Sequence, residues 1–167
     1  MKTFKTILTI LILTSVFSTS TAQVTHGTKL IGTVSGYTGT IDPTNESNIK
    51  TAWEDFLNAA NDSLEIDTMW IDTLASADAP GYKWFIFATN TDESETAAIA
   101  LEVDINGDLF EQIINGDSRT ITCKGCTSGC SPRKGLFGSW YCTSCSPSGD
   151  CVKTETVTTN ANGILYW

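Results

Sequence analysis

Several features on which common enzyme classes depend are scarce or missing in this chain of 167 residues. Its single histidine, His26, lies near the N-terminus, so a Ser-His-Asp or Cys-His catalytic arrangement would depend on this one side chain. The sequence contains no G-x-S-x-G, P-loop or HExxH motif and no glycine fingerprint of a Rossmann fold. These absences argue against the common hydrolase, nucleotide-binding and dinucleotide-dependent classes.

Positive charge and long hydrophobic runs are also scarce. Ten lysines and arginines stand against 19 acidic residues, and the net charge of −9 argues against a nucleic-acid-binding protein. The one long apolar run, residues 7–17, is too short to cross a bilayer core of ~30 Å. It follows two lysines and precedes small residues, which is typical of a secretory signal peptide. We therefore expect residues 1–22 to be a signal peptide cleaved near Ala22-Gln23, leaving a secreted or periplasmic protein with no membrane span.

The charge is unevenly distributed along the expected mature chain. Residues 23–118 hold three lysines against 17 acidic residues, a balance of −14. Residues 119–153 hold five basic residues against one acidic residue, a balance of +4. The sequence therefore predicts an acidic body over 23–118, a basic cysteine-rich module over 119–153, and a C-terminal segment, 154–167, that could supply a last strand.

One amphipathic helix is predicted within the acidic body. Apolar residues recur at helical spacing and form one stripe, which indicates a face packed on a core; they are Ile49, Ala52, Trp53, Phe56, Leu57 and Ala60. Asp42, Pro43 and Thr44 supply a predicted cap and first-turn proline. Asn61-Asp62 is expected to end the helix.

The rest of the body reads as an antiparallel meander. One strand is predicted before the helix, and strands after it at 64–74, 82–90, 96–105, 108–114 and 119–123. Two Asn-Gly dipeptides separate the later strands, as in tight hairpins. The resulting fold class is α+β, with a helix packed on a sheet in the order β-α-β-β-β-β. This order resembles that of the cystatins, although the Gln-x-Val-x-Gly loop of that family is absent and no inhibitor function is carried over.

A group of carboxylates is predicted beside the first Asn-Gly. A two-residue turn at Asn106-Gly107 would pair Glu102 with Glu111 and place Glu102, Asp104 and Glu111 on one face. Such a group serves as a solvated surface, as a cation site or as the acid pair of a small hydrolase.

All six cysteines fall between Cys123 and Cys151, in a segment too short to fold by apolar burial alone. Three disulfides are the leading prediction because a signal peptide directs the chain to an oxidising compartment. The two CxxC pairs also match a zinc ribbon with Cys123, Cys126, Cys142 and Cys145 as ligands, and a redox-active CxxC is a further alternative. The disulfide pairing of Cys123, Cys126, Cys130, Cys142, Cys145 and Cys151 cannot be read from the spacing.

Cations and aromatic residues alternate in the loop between the two CxxC pairs. Arg133, Lys134, Trp140 and Tyr141 are residue types that dominate binding interfaces. They are therefore candidate binding residues, and the alternative is that the aromatic side chains form the core of the module.

A short motif recurs three times within residues 62–74, in the acidic body. In each copy an Asp is followed by a hydroxyl residue and then by an apolar residue, and the three hydroxyl residues are Ser63, Thr68 and Thr73. The triplet resembles the acceptor site of a periplasmic O-glycosylation system, so these three residues are candidate glycosylation sites. An alternating strand with acidic exposed positions explains the same pattern.

Taken as a sequence, the chain is best interpreted as a secreted, non-enzymatic binding or structural protein without a cofactor. Its cysteine module would be the recognition or stabilising element, and its partner would be a protein or a surface glycan. The alternatives are a small extracytoplasmic enzyme that uses the carboxylate group and a module that holds zinc.

Overall fold

A computed structural model of the chain describes residues 22–75, 82–126, 129–134, 139–145 and 151–167. Over these residues the fold is α+β, as predicted, with one helix and a large antiparallel sheet. None of the described helical structure is long and apolar enough to cross a membrane. The elements in chain order are β1 (Val24–His26), β2 (Gly32–Ser35), β3 (Thr38–Ile41), α1 (Glu46–Ala59), β4 (Thr68–Ala75), β5 (Tyr82–Thr89), β6 (Glu95–Val103), β7 (Asp108–Ile114), β8 (Ser118–Lys124), β9 (Pro132–Lys134), β10 (Trp140–Cys142) and β11 (Val152–Thr158).

Helix α1 begins later than its predicted cap. Asn45 is the N-cap residue and makes no capping bond with its side chain. Asp42 instead accepts hydrogen bonds from the backbone N–H and the hydroxyl of Thr44, at 2.8 and 2.7 Å, and so closes a turn ahead of the helix. Most of the predicted apolar stripe is confirmed: Ile49, Trp53 and Leu57 are buried against the sheet and Ala52 and Phe56 are half-buried, whereas Ala60 is the exposed C-cap residue.

The centre of the sheet is β6, which pairs with β5 on one edge and with both β7 and β8 on the other. The second Asn-Gly makes the expected tight turn, because Asn115 and Gly116 have φ angles of 55° and 85°. Only Ile114 and Asp117 bridge across this turn, so β7 and β8 do not form the expected hairpin. They follow one another along the same edge of β6 instead.

Two strands that the sequence did not indicate, β1 and β3, extend the sheet. β1 pairs with β7, and β3 pairs with β2 across a turn at Gly36. The last strand is β11, which pairs with β8 along its whole length. The apolar residues at the chain end are in no strand, but Ile164 and Leu165 are buried beside the helix.

Both faces of the sheet are covered, and β5 shows this most clearly. Its Trp84 and Ile86 face the helix, whereas Phe85 and Phe87 face the opposite side and pack with Trp140 of β10. An uninterrupted apolar run is typical of a strand buried on two faces. The helix therefore covers one face of the sheet and part of the cysteine module covers the other.

Candidate binding surface on the cysteine module

Three disulfides cross-link the cysteine module, and no cysteine among the described residues is free. The bonds join Cys123 to Cys142, Cys126 to Cys145, and Cys130 to Cys151. The prediction of disulfides is confirmed, and the pairing that the spacing left open is now defined. Since such bonds persist outside the reducing cytosol, they indicate folding in an oxidising environment.

Strands β9 and β10 form a two-stranded ribbon that carries all four candidate binding residues. Trp140 lies opposite Lys134, and Tyr141 lies opposite Arg133. Side chains alternate between the two faces of a ribbon, so these pairs point in opposite directions. The sequence singled out four residues, and the structure separates them into two pairs.

The inner pair attaches the ribbon to the sheet. The ring of Trp140 meets the ring of Phe85 edge to face, with centroids 5.2 Å apart. The ammonium group of Lys134 lies 5.0 Å from the centroid of Trp140 and 5.8 Å from that of Phe85, which are cation–π distances. Lys134 and Trp140 therefore stabilise the module on the sheet, and Trp140 packs with the sheet residues Phe85 and Phe87 rather than in a core of the module itself.

The outer pair is open to solvent. Tyr141 is 52% exposed and Arg133 is also exposed. The Cys123–Cys142 disulfide ties the end of β10 next to Tyr141 directly to β8. An exposed arginine and tyrosine on a cross-linked ribbon form a rigid platform of the kind that interfaces use.

The surroundings of the ribbon are positively charged. Burial lowers the pKa of Lys134, and the nearby positive charges of Lys83 and Arg119 lower it further. Arg119 is neutralised by Glu155 at 2.7 Å. Among the described residues no ion pair involves Lys83, Arg133 or Lys134, so direct pairing does not neutralise these three cations. We call the solvent-facing pair, Arg133 and Tyr141, the basic platform; Lys134 lies on the opposite face of the ribbon, with Lys83 near it.

The carboxylate group beside Asn106-Gly107 does not form as predicted, because the turn has three residues rather than two. The side chain of Asp104 accepts hydrogen bonds from the N–H groups of Asn106 and Asp108, at 2.8 and 2.9 Å. These bonds lower the pKa of Asp104, and they hold a turn that ends on Gly107 at φ 88°. Ile105 is fully exposed at the tip of the turn.

The extra residue shifts the pairing of β6 and β7 by one position. Leu101 pairs with Glu111 and Glu102 pairs with Phe110. A shift of one residue reverses the face of every side chain on a strand. Glu111 therefore points into the core on the helix side, away from Glu102, and the predicted group of Glu102, Asp104 and Glu111 is not assembled.

Buried Glu111 holds the end of the chain in place. Its carboxylate accepts hydrogen bonds from the N–H groups of Ile164 and Leu165, at 2.8 and 2.7 Å, and from the hydroxyl of Ser118. Burial raises the pKa of Glu111, and these three bonds oppose the rise. The role of this carboxylate is structural, since it is 1% exposed and satisfied within the core.

An acidic cleft of about 700 Å³ opens beside the C-terminal end of the helix, and sequence reasoning missed it. Four carboxylates line it, namely Glu54, Glu65, Asp92 and Glu95. Burial raises the pKa of Glu95, while Lys124 at 3.8 Å opposes that shift. Lys124 forms a closer ion pair with buried Asp62, at 2.7 Å. Spacing offers no signal for this cleft, because its walls come from the helix end and from the loops that flank β4 and β6.

A second cavity, of about 420 Å³, adjoins the acidic cleft through Asn90 and Thr91. One wall is Trp70, which is 38% exposed and stacks on Phe87 with ring centroids 5.4 Å apart. Thr68, a candidate glycosylation residue, lines the same cavity.

The candidate glycosylation residues differ in exposure. Ser63 and Thr68 are exposed, as modification requires, whereas Thr73 is half-buried. Asp62, the acidic residue of the first triplet, is held in the ion pair with Lys124. Modification of Ser63, Thr68 and Thr73 stays a prediction.

The sulphur atoms group differently from the predicted zinc ligands. Among the described residues, the four that come within 4.8 Å of one another belong to Cys126, Cys130, Cys145 and Cys151. Cys123 and Cys142 lie outside this group and bond to each other.

Comparisons with known proteins identified no relative of this chain. Family models, curated proteins and solved structures all yielded no significant match to the chain.

Proposed function

We propose that the protein is an exported, non-enzymatic binding protein that holds an anionic partner on the basic platform. The partner would be an acidic surface glycan or an acidic patch of another protein. Residues 1–22 would direct export and be removed. The observation that carries the proposal is the separation of the ribbon residues, in which one pair fastens the ribbon to the sheet and the other pair faces solvent.

Charge supports an anionic partner. Arg133 on the basic platform, and Lys83 and Lys134 near the ribbon, make no ion pair among the described residues, while the body carries a large acidic excess. The platform would therefore attract anions selectively, and the body would repel them elsewhere. The disulfides contribute by fixing the platform before binding, which reduces the ordering entropy lost on association.

A double variant tests the proposal with an immobilised carboxylated polysaccharide as the glycan probe and an acidic protein as the second probe. Arg133→Ala/Tyr141→Ala should weaken binding by about tenfold or more, because exposed Arg and Tyr at an interface centre each contribute about 1 kcal/mol or more. The matched control is Tyr37→Ala/Lys50→Ala, which removes one exposed aromatic residue and one positive charge at two positions outside the platform.

Binding of the wild type should also weaken as salt is raised, since exposed charges are screened. Equal affinity of the platform variant and the control variant for both probes would contradict the proposal. Binding to only one probe would identify the partner class.

A further inference from the structure

Two of the three disulfides lie against each other in one compact group of sulphur atoms. The Sγ atom of Cys126 is 2.9 Å from that of Cys151 and 3.3 Å from that of Cys130, although it is bonded to neither. The Sγ atoms of Cys145 and Cys151 are 3.7 Å apart. Four sulphur atoms therefore occupy the volume of a single small site.

These separations suit a tetrahedral metal ion. With Zn–S bonds of about 2.3 Å, the sulphur atoms of a tetrathiolate site lie about 3.8 Å from one another. Three of the four non-bonded separations in the group lie at or below that distance, and the fourth, between Cys130 and Cys145, is within 4.8 Å. To complete the same tetrahedron each bonded pair would open by about 2 Å, and Cys126 and Cys151 would separate by about 1 Å.

The group is also placed as a structural metal site would be. Cys126 and Cys130 are 2% and 0% exposed, and Cys145 and Cys151 are half-buried. Partial enclosure of this kind keeps water out of the coordination shell while leaving an entry path. Thiolates are the ligands that zinc prefers in closed structural sites.

We propose that Cys126, Cys130, Cys145 and Cys151 form a zinc site that replaces the Cys126–Cys145 and Cys130–Cys151 disulfides when these are reduced. In that step a dithiol reductant gives two electrons and two protons to each disulfide and is itself oxidised to a disulfide. Each of the four thiols formed then loses its proton as its sulphur atom binds the metal ion. The Cys123–Cys142 pair lies outside the site. The inference does not depend on binding by the basic platform.

This assignment differs from a ribbon built on the two CxxC pairs, whose ligands would be Cys123, Cys126, Cys142 and Cys145. The two ligand sets share Cys126 and Cys145 and differ in the other two residues. The difference provides a direct test, because each set predicts the opposite result for two double variants.

The experiment uses the full-length reduced protein, freed of reductant under anaerobic conditions and titrated with Co²⁺ as a spectroscopic probe for zinc. We expect one metal ion per chain with the visible absorption of a tetrathiolate Co²⁺ site. Cys123→Ser/Cys142→Ser should keep this spectrum, whereas Cys130→Ser/Cys151→Ser should lose it. The reverse result would overturn the assignment in favour of the CxxC ribbon, and no metal uptake by the wild type would overturn it altogether.

A second measurement avoids the question of whether the variants fold. The reduced wild type is labelled with a maleimide in the presence and absence of Zn²⁺, and the labelled cysteines are located by peptide mass spectrometry. Zinc should lower the labelling of Cys126, Cys130, Cys145 and Cys151 and leave the labelling of Cys142 and of buried Cys123 unchanged. Equal protection of all six cysteines, or of none, contradicts the proposal.

Discussion

The two faces of the sheet are covered by different means. On one face, helix α1 and the chain end bury large apolar side chains, among them Trp53, Ile49 and Leu165. On the other face, a ribbon of two three-residue strands lies over Phe85 and Phe87 and is fixed by disulfides. A 14-residue amphipathic helix buries enough apolar area to stay packed on the sheet without a cross-link. Because the short ribbon buries far less, it needs covalent bonds.

The two faces differ in which residues remain available for a function. The helix side uses its apolar and polar groups for stability, including the carboxylate of Glu111. On the ribbon side, Lys134 and Trp140 attach the ribbon to the sheet. Because the disulfides also hold the ribbon, Arg133 and Tyr141 are not needed for its attachment. Covalent cross-links therefore allow a small element to expose residues that a folded core of that size would have to bury.

Tryptophan replacements on the two faces should have the most unequal effects on stability. Trp53→Ala should lower the free energy of unfolding by about 3–5 kcal/mol, because the ring is fully buried and its indole N–H donates to Thr120 at 3.1 Å. Trp140→Ala should cost only roughly 1–2 kcal/mol, since its ring is half-buried and makes one edge-to-face contact.

Urea unfolding of the oxidised variants measures this difference. Trp70→Ala is the control for loss of a more exposed ring on the same face, which stacks on Phe87 and should cost about 1 kcal/mol. Equal destabilisation by the Trp53 and Trp140 variants would show that the two faces are held in the same way, and the comparison would then fail.

Two glycines with nearly equal φ angles test how the chain end is held on the helix side. Gly163 has φ 86° and lies against the Glu111 carboxylate, whereas Gly116 has φ 85° and has no neighbour within 4 Å of an added methyl group. Both alanine variants carry the strain of a positive φ, of about 1 kcal/mol. Gly163→Ala alone also displaces the carboxylate, so it should cost about 1–3 kcal/mol more than Gly116→Ala. Thermal unfolding of the two variants checks this, and similar melting temperatures would argue against the Glu111 contact.

The smallest expected effect is the pH dependence caused by Glu111. Its pKa is raised from the ordinary value of 4.5, so near that pH the folded state holds a proton that the unfolded state has lost. The contribution of Glu111 to stability is therefore largest below pH 4.5 and falls as the pH rises through its folded-state pKa. Glu111→Gln, which does not titrate, should show a shallower loss of stability than the wild type above pH 4.5. Parallel urea midpoints of the two proteins across this range would contradict the assignment.

The register of β6 and β7 shows where sequence reasoning reached its limit. The Asn-Gly dipeptide correctly located the turn, but two-residue and three-residue turns share that dipeptide. Asp104 favours the three-residue turn, because its side chain accepts hydrogen bonds from two backbone N–H groups of that turn. An aspartate at the first position of a turn is a readable signal, and weighing it would have predicted the correct face for Glu111.

Local patterns by themselves determined the helix stripe, the positions of the central strands and the cysteine-rich segment with its charge contrast. Each of these depends on spacing within a few residues, which the backbone period translates directly into structure. Only the tertiary structure decided the disulfide pairing, the division of Arg133, Lys134, Trp140 and Tyr141 into two faces, and the burial of Glu111. These depend on which distant segments meet, because side chains on one strand acquire a role only when another element covers them or leaves them open.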